Sequence, residues 1–148
     1  MKVKEREEAR RGDPLHRAGC MLYWGEGSKA RNCVQFVNSD ARMIRYFMHF
    51  LAECYGVTAD QYCFKVNCHL NNGLTLDEIE SHWLDLLGLP RSSLRKATVN
   101  NPSSASKRMK RNLPHGTASL TLHSTAIVQS IYGAIQEYGG FDEPAWLG

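Results

Sequence analysis

Residues 61 to 70 read QYCFKVNCHL. Tyr62, Phe64, Val66, Cys68 and Leu70 alternate there with Cys63, Lys65, Asn67 and His69, and successive side chains of a strand leave from opposite faces. The run therefore predicts a strand with one face in a core and the other in water. Residues 116 to 124, GTASLTLHS, repeat the pattern. Ala118, Leu120 and Leu122 fall on one side, and Thr117, Ser119, Thr121 and His123 on the other. Two such strands demand a sheet that is covered on one side only.

The cover is legible as helices. Asp13 before Pro14 suits a helix start, the acid as N-cap and the proline at the first helical position, and this helix runs through LHRAGCMLYW to Gly25. Ala18, Met21, Leu22 and Gly25 share one stripe of it. NCVQFVN, residues 32 to 38, is strand-like. Asp40 caps a second helix carrying Ile44, Phe47, Met48, Leu51 and Tyr55, which Gly56 ends. Thr75 and Glu78 have the spacing of a capping box for a third helix, with Leu76, Ile79, Trp83, Leu86 and Leu87 as its buried stripe and Gly88 and Pro90 as its stop. LRKATVN, from residue 94, predicts a short strand, residues 100 to 115 a long hairpin tip, and 116 to 124 the returning strand. A last helix from Ser124 to Tyr138 buries Ile127, Ile131 and Ile135. The expected class is α+β, with one mainly antiparallel sheet and helices on a single face.

With 148 residues, 43% of them hydrophobic, the chain has material for one core. We expect a charged arm at 1–13, a domain at 14–140, and a tail at 141–148 holding Phe141, Trp146 and Leu147. No run approaches the roughly 18 apolar residues of a membrane span, and MKVKEREEARRG has no apolar stretch of the kind a secretory signal carries. A cytoplasmic protein is the expectation. The five cysteines, at 20, 33, 54, 63 and 68, form no C-x-x-C pair and suit reduced thiols. Cys63 and Cys68 would point to opposite faces of one strand, which argues against their sharing a zinc ion.

The net charge is only +3, but no Asp or Glu occurs between Leu86 and Gln136, where Arg91, Arg95, Lys96, Lys107, Arg108, Lys110 and Arg111 all lie. Such a segment repels itself unless it meets a polyanion, and nucleic acid is the commonest. The uncovered sheet face would add Gln35, Lys65, Asn67, His69, Lys96, Ser119, Thr121 and His123, groups that hydrogen-bond base edges and phosphates.

One short stretch stands apart. CMLYWGEGSK, residues 20 to 29, ends an apolar helix on Glu26 between two glycines. A carboxylate in the last turn faces the negative end of the macrodipole, a cost of about 0.3 to 1 kcal/mol unless a cation offsets it. Gly27 could be the left-handed residue that ends the helix, and Gly25 could be small because another backbone approaches. Were two such helix ends to meet, their acids would suit a shared divalent cation.

GCMLYWGEG, residues 19 to 27, resembles the LAGLIDADG motif of homing endonucleases, and the likeness continues through VQFVNSDARMIRYFMHFL, HWLDLLGLP and HGTASLTLHSTAIVQSIYGAI. It covers about residues 14 to 138. The resemblance implies an α-β-β-α-β-β-α domain with an added helix near 76–87, a saddle-shaped antiparallel sheet laid in the DNA major groove, and motif helices that pair with those of a second copy. With one motif, the chain would be a homodimer paired through Ala18, Cys20, Met21 and Gly25. Met21 stands where the family usually has glycine, and Trp24 replaces a frequent Asp. By position Glu26 would bind Mg²⁺ and organise phosphodiester hydrolysis on both strands of DNA; Lys29 and Lys65 are expected to meet phosphate or transition-state charge on their charge and expected proximity alone. DNA contacts are then expected from Lys29, Arg31, Gln35, Lys65, Asn67, His69, Arg95, Lys96, Lys107, Arg108, Lys110, Arg111, Ser119, Thr121 and His123. The same residues would also serve a DNA-binding regulator or recombination accessory that does not cut, or an RNA maturase, and a protein-interaction domain is the remaining alternative.

Overall fold

The computed structural model describes residues 13–70, 73–99 and 114–147. In chain order they form α1 (Pro14–Glu26), β1 (Val34–Asn38), α2 (Ala41–Tyr55), β2 (Tyr62–Cys68), α3 (Leu76–Leu87), β3 (Thr98–Val99), β4 (Thr117–Leu122) and α4 (Thr125–Gly139), with single 3₁₀ turns at Ala59–Gln61, Arg91–Ser93 and Pro144–Trp146. The class is α+β, as expected. The arm at 1–12 and most of the anticipated hairpin tip, 100–113, fall outside the described residues.

Local chemistry starts and stops the helices where the residues predict. Asp13 accepts from the backbone N–H groups of Leu15 and His16 at 2.9 and 3.3 Å. Thr75 and Glu78 close the capping box, Glu78 N–H to Thr75 Oγ1 at 3.1 Å and Thr75 N–H to Glu78 Oε1 at 3.3 Å. Gly56 and Gly88 end α2 and α3 with φ of 67° and 66°, a conformation that side chains with a Cβ resist. The buried face of α3 keeps Ile79, Trp83 and Leu87 of the predicted stripe, but Leu84 is buried and Leu86 exposed. Leu70, expected in the core, is also exposed, because β2 ends at Cys68.

The sheet runs β1-β4-β2-β3 and is mixed rather than antiparallel throughout. β4 lies between β1 and β2, antiparallel to both, in rows such as Phe36–Leu120–Phe64 on the covered face. The expected hairpin of β3 with β4 does not form. β3 instead pairs in parallel with the outer edge of β2, Asn67 with Thr98 and Cys68 with Val99. The reason is α3, which carries the chain back across the sheet so that it re-enters in the direction of β2, as a crossover connection does. Leu94 bridges Phe64, and the Arg95 N–H donates to Phe64 O at 2.7 Å. Between α1 and α2 there is one strand, with a single bridge from Gly27 to Phe36 where a full partner strand was expected.

The helices bury the covered face. Phe47 of α2 stacks on Phe36 at 4.7 Å and on Tyr23 at 5.4 Å, while α4 contributes Val128, Ile131, Tyr132 and Ile135. Among the described residues no helix is long and apolar enough to cross a membrane.

Candidate nucleic-acid interface and the Gly-Glu-Gly site

α1 is a two-sided helix. Its inner face is His16, Gly19, Cys20 and Tyr23, all buried. Gly19 is demanded by packing, since a Cβ there would lie 2.1 Å from the Phe50 ring. His16 fastens the helix through Nδ1 to the Tyr138 hydroxyl at 2.7 Å and Nε2 to the Tyr55 hydroxyl at 3.3 Å, and Tyr55 reaches Ser130 at 2.7 Å. Ala18, Met21 and Gly25 lie on the opposite side, half-buried or exposed. Cys20 does not join them: it is wholly buried, 3.8 Å from His16 Nε2, and burial pushes its thiol pKa up. Its assignment to a dimer interface is therefore corrected, because the helical turn that leaves Met21 only half-buried points Cys20 into the core.

The end of α1 departs from its expected geometry in an informative way. Gly27 is extended, φ −82° and ψ 159°, rather than left-handed, and its glycine identity comes from the Tyr23 ring, 2.4 Å from where a Cβ would sit. Gly25 is different. A Cβ on it would meet nothing within 4 Å, so nothing among the described residues requires its smallness. The cation that offsets the helix end is Lys29. Its ammonium donates to the carbonyls of Gly27, Trp24 and Tyr23 at 2.9, 3.1 and 3.5 Å, and partial burial lowers its pKa. Glu26 itself is exposed, and its Oε2 accepts from Asn38 Nδ2 at 3.4 Å.

The tail at 141–147 is part of this corner, a feature the sequence reading passed over. Phe141 stacks on Trp24 at 5.1 Å, and Trp146 lies 5.9 Å from the Lys29 ammonium. Gln136 clamps the tail by accepting from the Glu143 N–H at 2.9 Å and donating to Glu143 O at 3.3 Å. The Tyr132 hydroxyl ties the following loop by donating to Ala30 O at 2.5 Å.

The uncovered face carries the rows Gln35–Thr121–Cys63 and Val37–Ser119–Lys65, with Asn67 beside Thr117 and Thr98. At its centre is a concavity of about 420 Å³ lined by Gln35, Lys65, Arg95, Ser119, Thr121 and His123, together with Cys33, Cys63 and Phe64. The period-two alternation supplies five of these polar groups and the β2 edge supplies Arg95, whose guanidinium also donates to the carbonyls of Ser92, Ser93 and Leu94. Ser119 is 4% exposed, flanked by Val37 and Lys65 on the neighbouring strands, so it is corrected from a surface contact to a floor residue. Asn67 Nδ2 donates to Thr117 Oγ1 at 3.4 Å, and His69 is half-buried just past β2. Arg31 and Lys96 are exposed. Lys107, Arg108, Lys110 and Arg111 lie outside the described residues.

The structure does not bring the three proposed catalytic groups together. Asn38, which holds Glu26, is on β1 and points with Phe36 to the covered face, whereas Lys65 is two strands away and points to the open one. Lys29 is occupied by the α1 carbonyls. Comparison with known proteins finds no family model, no curated protein and no solved structure that matches this chain.

Proposed function

We propose that this chain binds duplex DNA through its open sheet face as a homodimer joined along α1, and cleaves it with Mg²⁺ held by Glu26 of each copy. The observation that carries the reading is the open face, where Lys65, Arg95 and His123 surround a concavity floored by hydrogen-bonding side chains and left uncovered by every described helix. Lys65 and Arg95 meet phosphates, while Gln35, Thr121 and His123 reach base edges. The outward stripe of Ala18, Met21 and Gly25 supports the dimer, as does a Gly25 with open space around it.

The Glu26 carboxylate suits Mg²⁺, since it is exposed and its one hydrogen-bond contact among the described residues, at 3.4 Å, leaves oxygen lone pairs for a hard cation. Bound there, the ion would supply Lewis acidity and an activated water for phosphodiester hydrolysis. One copy offers one acid, so the site is complete only when a second copy brings its own. Lys29 acts by holding the last carbonyls of α1, which sets the direction in which Glu26 leaves the helix.

A DNA binder that does not cut is the second reading. It is favoured by the separation of Lys65 from Glu26 and by the absence, among the described residues, of a cation paired with Glu26. The experiment is incubation with a randomised duplex library and Mg²⁺, with sequencing of new ends and parallel binding measurements. Recurrent ends that vanish in Glu26→Gln while binding persists support the nuclease. Sequence-selective binding without such ends supports the second reading, and no duplex binding at low salt defeats both.

A further inference from the structure

On the helical side of the molecule, away from the open face, a groove of about 270 Å³ runs between α2, the turn after it and the end of α3. Its floor is apolar, from Met48, Val57 and Leu87, and Arg45, His49 and Ala52 stand exposed at its rim. Tyr62 also lines it. This residue is 4% exposed, and among the described residues its hydroxyl is the only buried side-chain polar atom without a hydrogen-bond partner. A buried hydroxyl left unpaired costs the free energy of its lost water contacts, so its retention over phenylalanine calls for an acceptor. Burial raises the phenol pKa, which keeps the O–H a donor. Arg45, for its part, has no carboxylate partner among the described residues.

We propose that this groove binds a small apolar carboxylate, its hydrocarbon part against Met48, Val57 and Leu87, one oxygen accepting from Tyr62 and the anion paired with Arg45. The volume suits an aryl or branched acid of about twelve heavy atoms, near the lower limit for ligand sites. The hydroxyl is sealed in the empty groove, so binding requires a lining side chain to yield, and Met48, an unbranched thioether, is the one that repacks at low cost. The site is independent of the DNA reading.

The test is an NMR titration of the full chain with 4-isopropylbenzoate, its neutral amide and the corresponding benzylamine. The acid is expected to shift the Met48 methyl, Val57 and Leu87 signals with a Kd on the order of 1 mM. The amide and the amine should bind at least about fivefold more weakly, since charge-assisted bonds are the stronger ones. Tyr62→Phe, which keeps the ring and removes only the unpaired hydroxyl, should fold and should weaken the acid about tenfold. Arg45→Gln, at an exposed position, should do the same. Absence of shifts at Met48 and Val57 up to about ten times that concentration, equal binding of acid and amine, or an unchanged Kd in Tyr62→Phe would each overturn the proposal.

Discussion

Single residues in this protein are set by what stands directly beside them. Lys29 resolves why an acid can close α1: its ammonium lies against the carbonyls of Gly27, Trp24 and Tyr23, the last of which also accepts from the Gly27 N–H at 2.8 Å. His82 is a second case. Its ring lies on that of His115, centroids 3.7 Å apart and 13° from parallel, and the Trp83 indole N–H donates to His115 O at 2.8 Å. Burial first, and then the neighbouring imidazole, lower the His82 pKa, with Asp85 opposing. The folded protein thus takes up a proton at His82 less readily than the unfolded chain, whose imidazole titrates near 6.5. Below that pH the unfolded state binds more protons, so stability is fully present above it and declines as the pH falls through it. Urea midpoints at about pH 7.5 and about pH 5.5 should differ more in the parent than in His82→Gln. An equal difference in both would exclude His82 as a source of acid sensitivity. Nothing in the residue types of positions 82 and 115 announces the stack, because the two meet only through folding.

At the scale of elements, α1 packs on one face and waits on the other. Two of its glycines therefore answer to opposite constraints, and the same substitution should act oppositely at each. Gly19→Ala forces a methyl into the Phe50 ring, itself wholly buried, and is expected to cost about 1–3 kcal/mol in denaturant unfolding. Gly25→Ala meets nothing among the described residues and removes a glycine from a helix, so the single chain should gain up to about 1 kcal/mol. If copies pair along this face, the same change weakens self-association, which sedimentation equilibrium would read. A Gly25→Ala protein that is more stable and associates as tightly as the parent would remove α1 from the interface. Helix ends were legible here because Asp13, Asp40, Thr75 with Glu78, Gly56 and Gly88 act within a turn of themselves. The pairing of β3 was not, since two residues carry no pattern and their partner was chosen by the path of α3.

For the whole molecule, the open face is a collective property of three strands and one edge. Each phosphate neutralised contributes about 0.9 to the slope of log affinity against log salt, so Lys65→Gln with Arg95→Gln should lower that slope by about 1.8 in duplex binding. Lys29→Gln should leave the slope unchanged and reduce stability, its ammonium being spent on α1; an unchanged slope in the double variant would move the interface elsewhere. The alternation of 62–68 and 117–122 determined by itself which side chains line the open face and which enter the core, because pleating assigns faces locally. The capping residues likewise determined where α1 begins and where α2 and α3 begin and end. Only the tertiary structure decided that β4 is central, that β3 runs parallel to β2, that Cys20 and Ser119 are buried, and that Lys29 serves a helix end while Lys65 stands on the far side of the sheet from Glu26. Those outcomes depend on contacts between residues distant in the chain, chosen by how helices and strands can be covered together, and no local pattern encodes that choice.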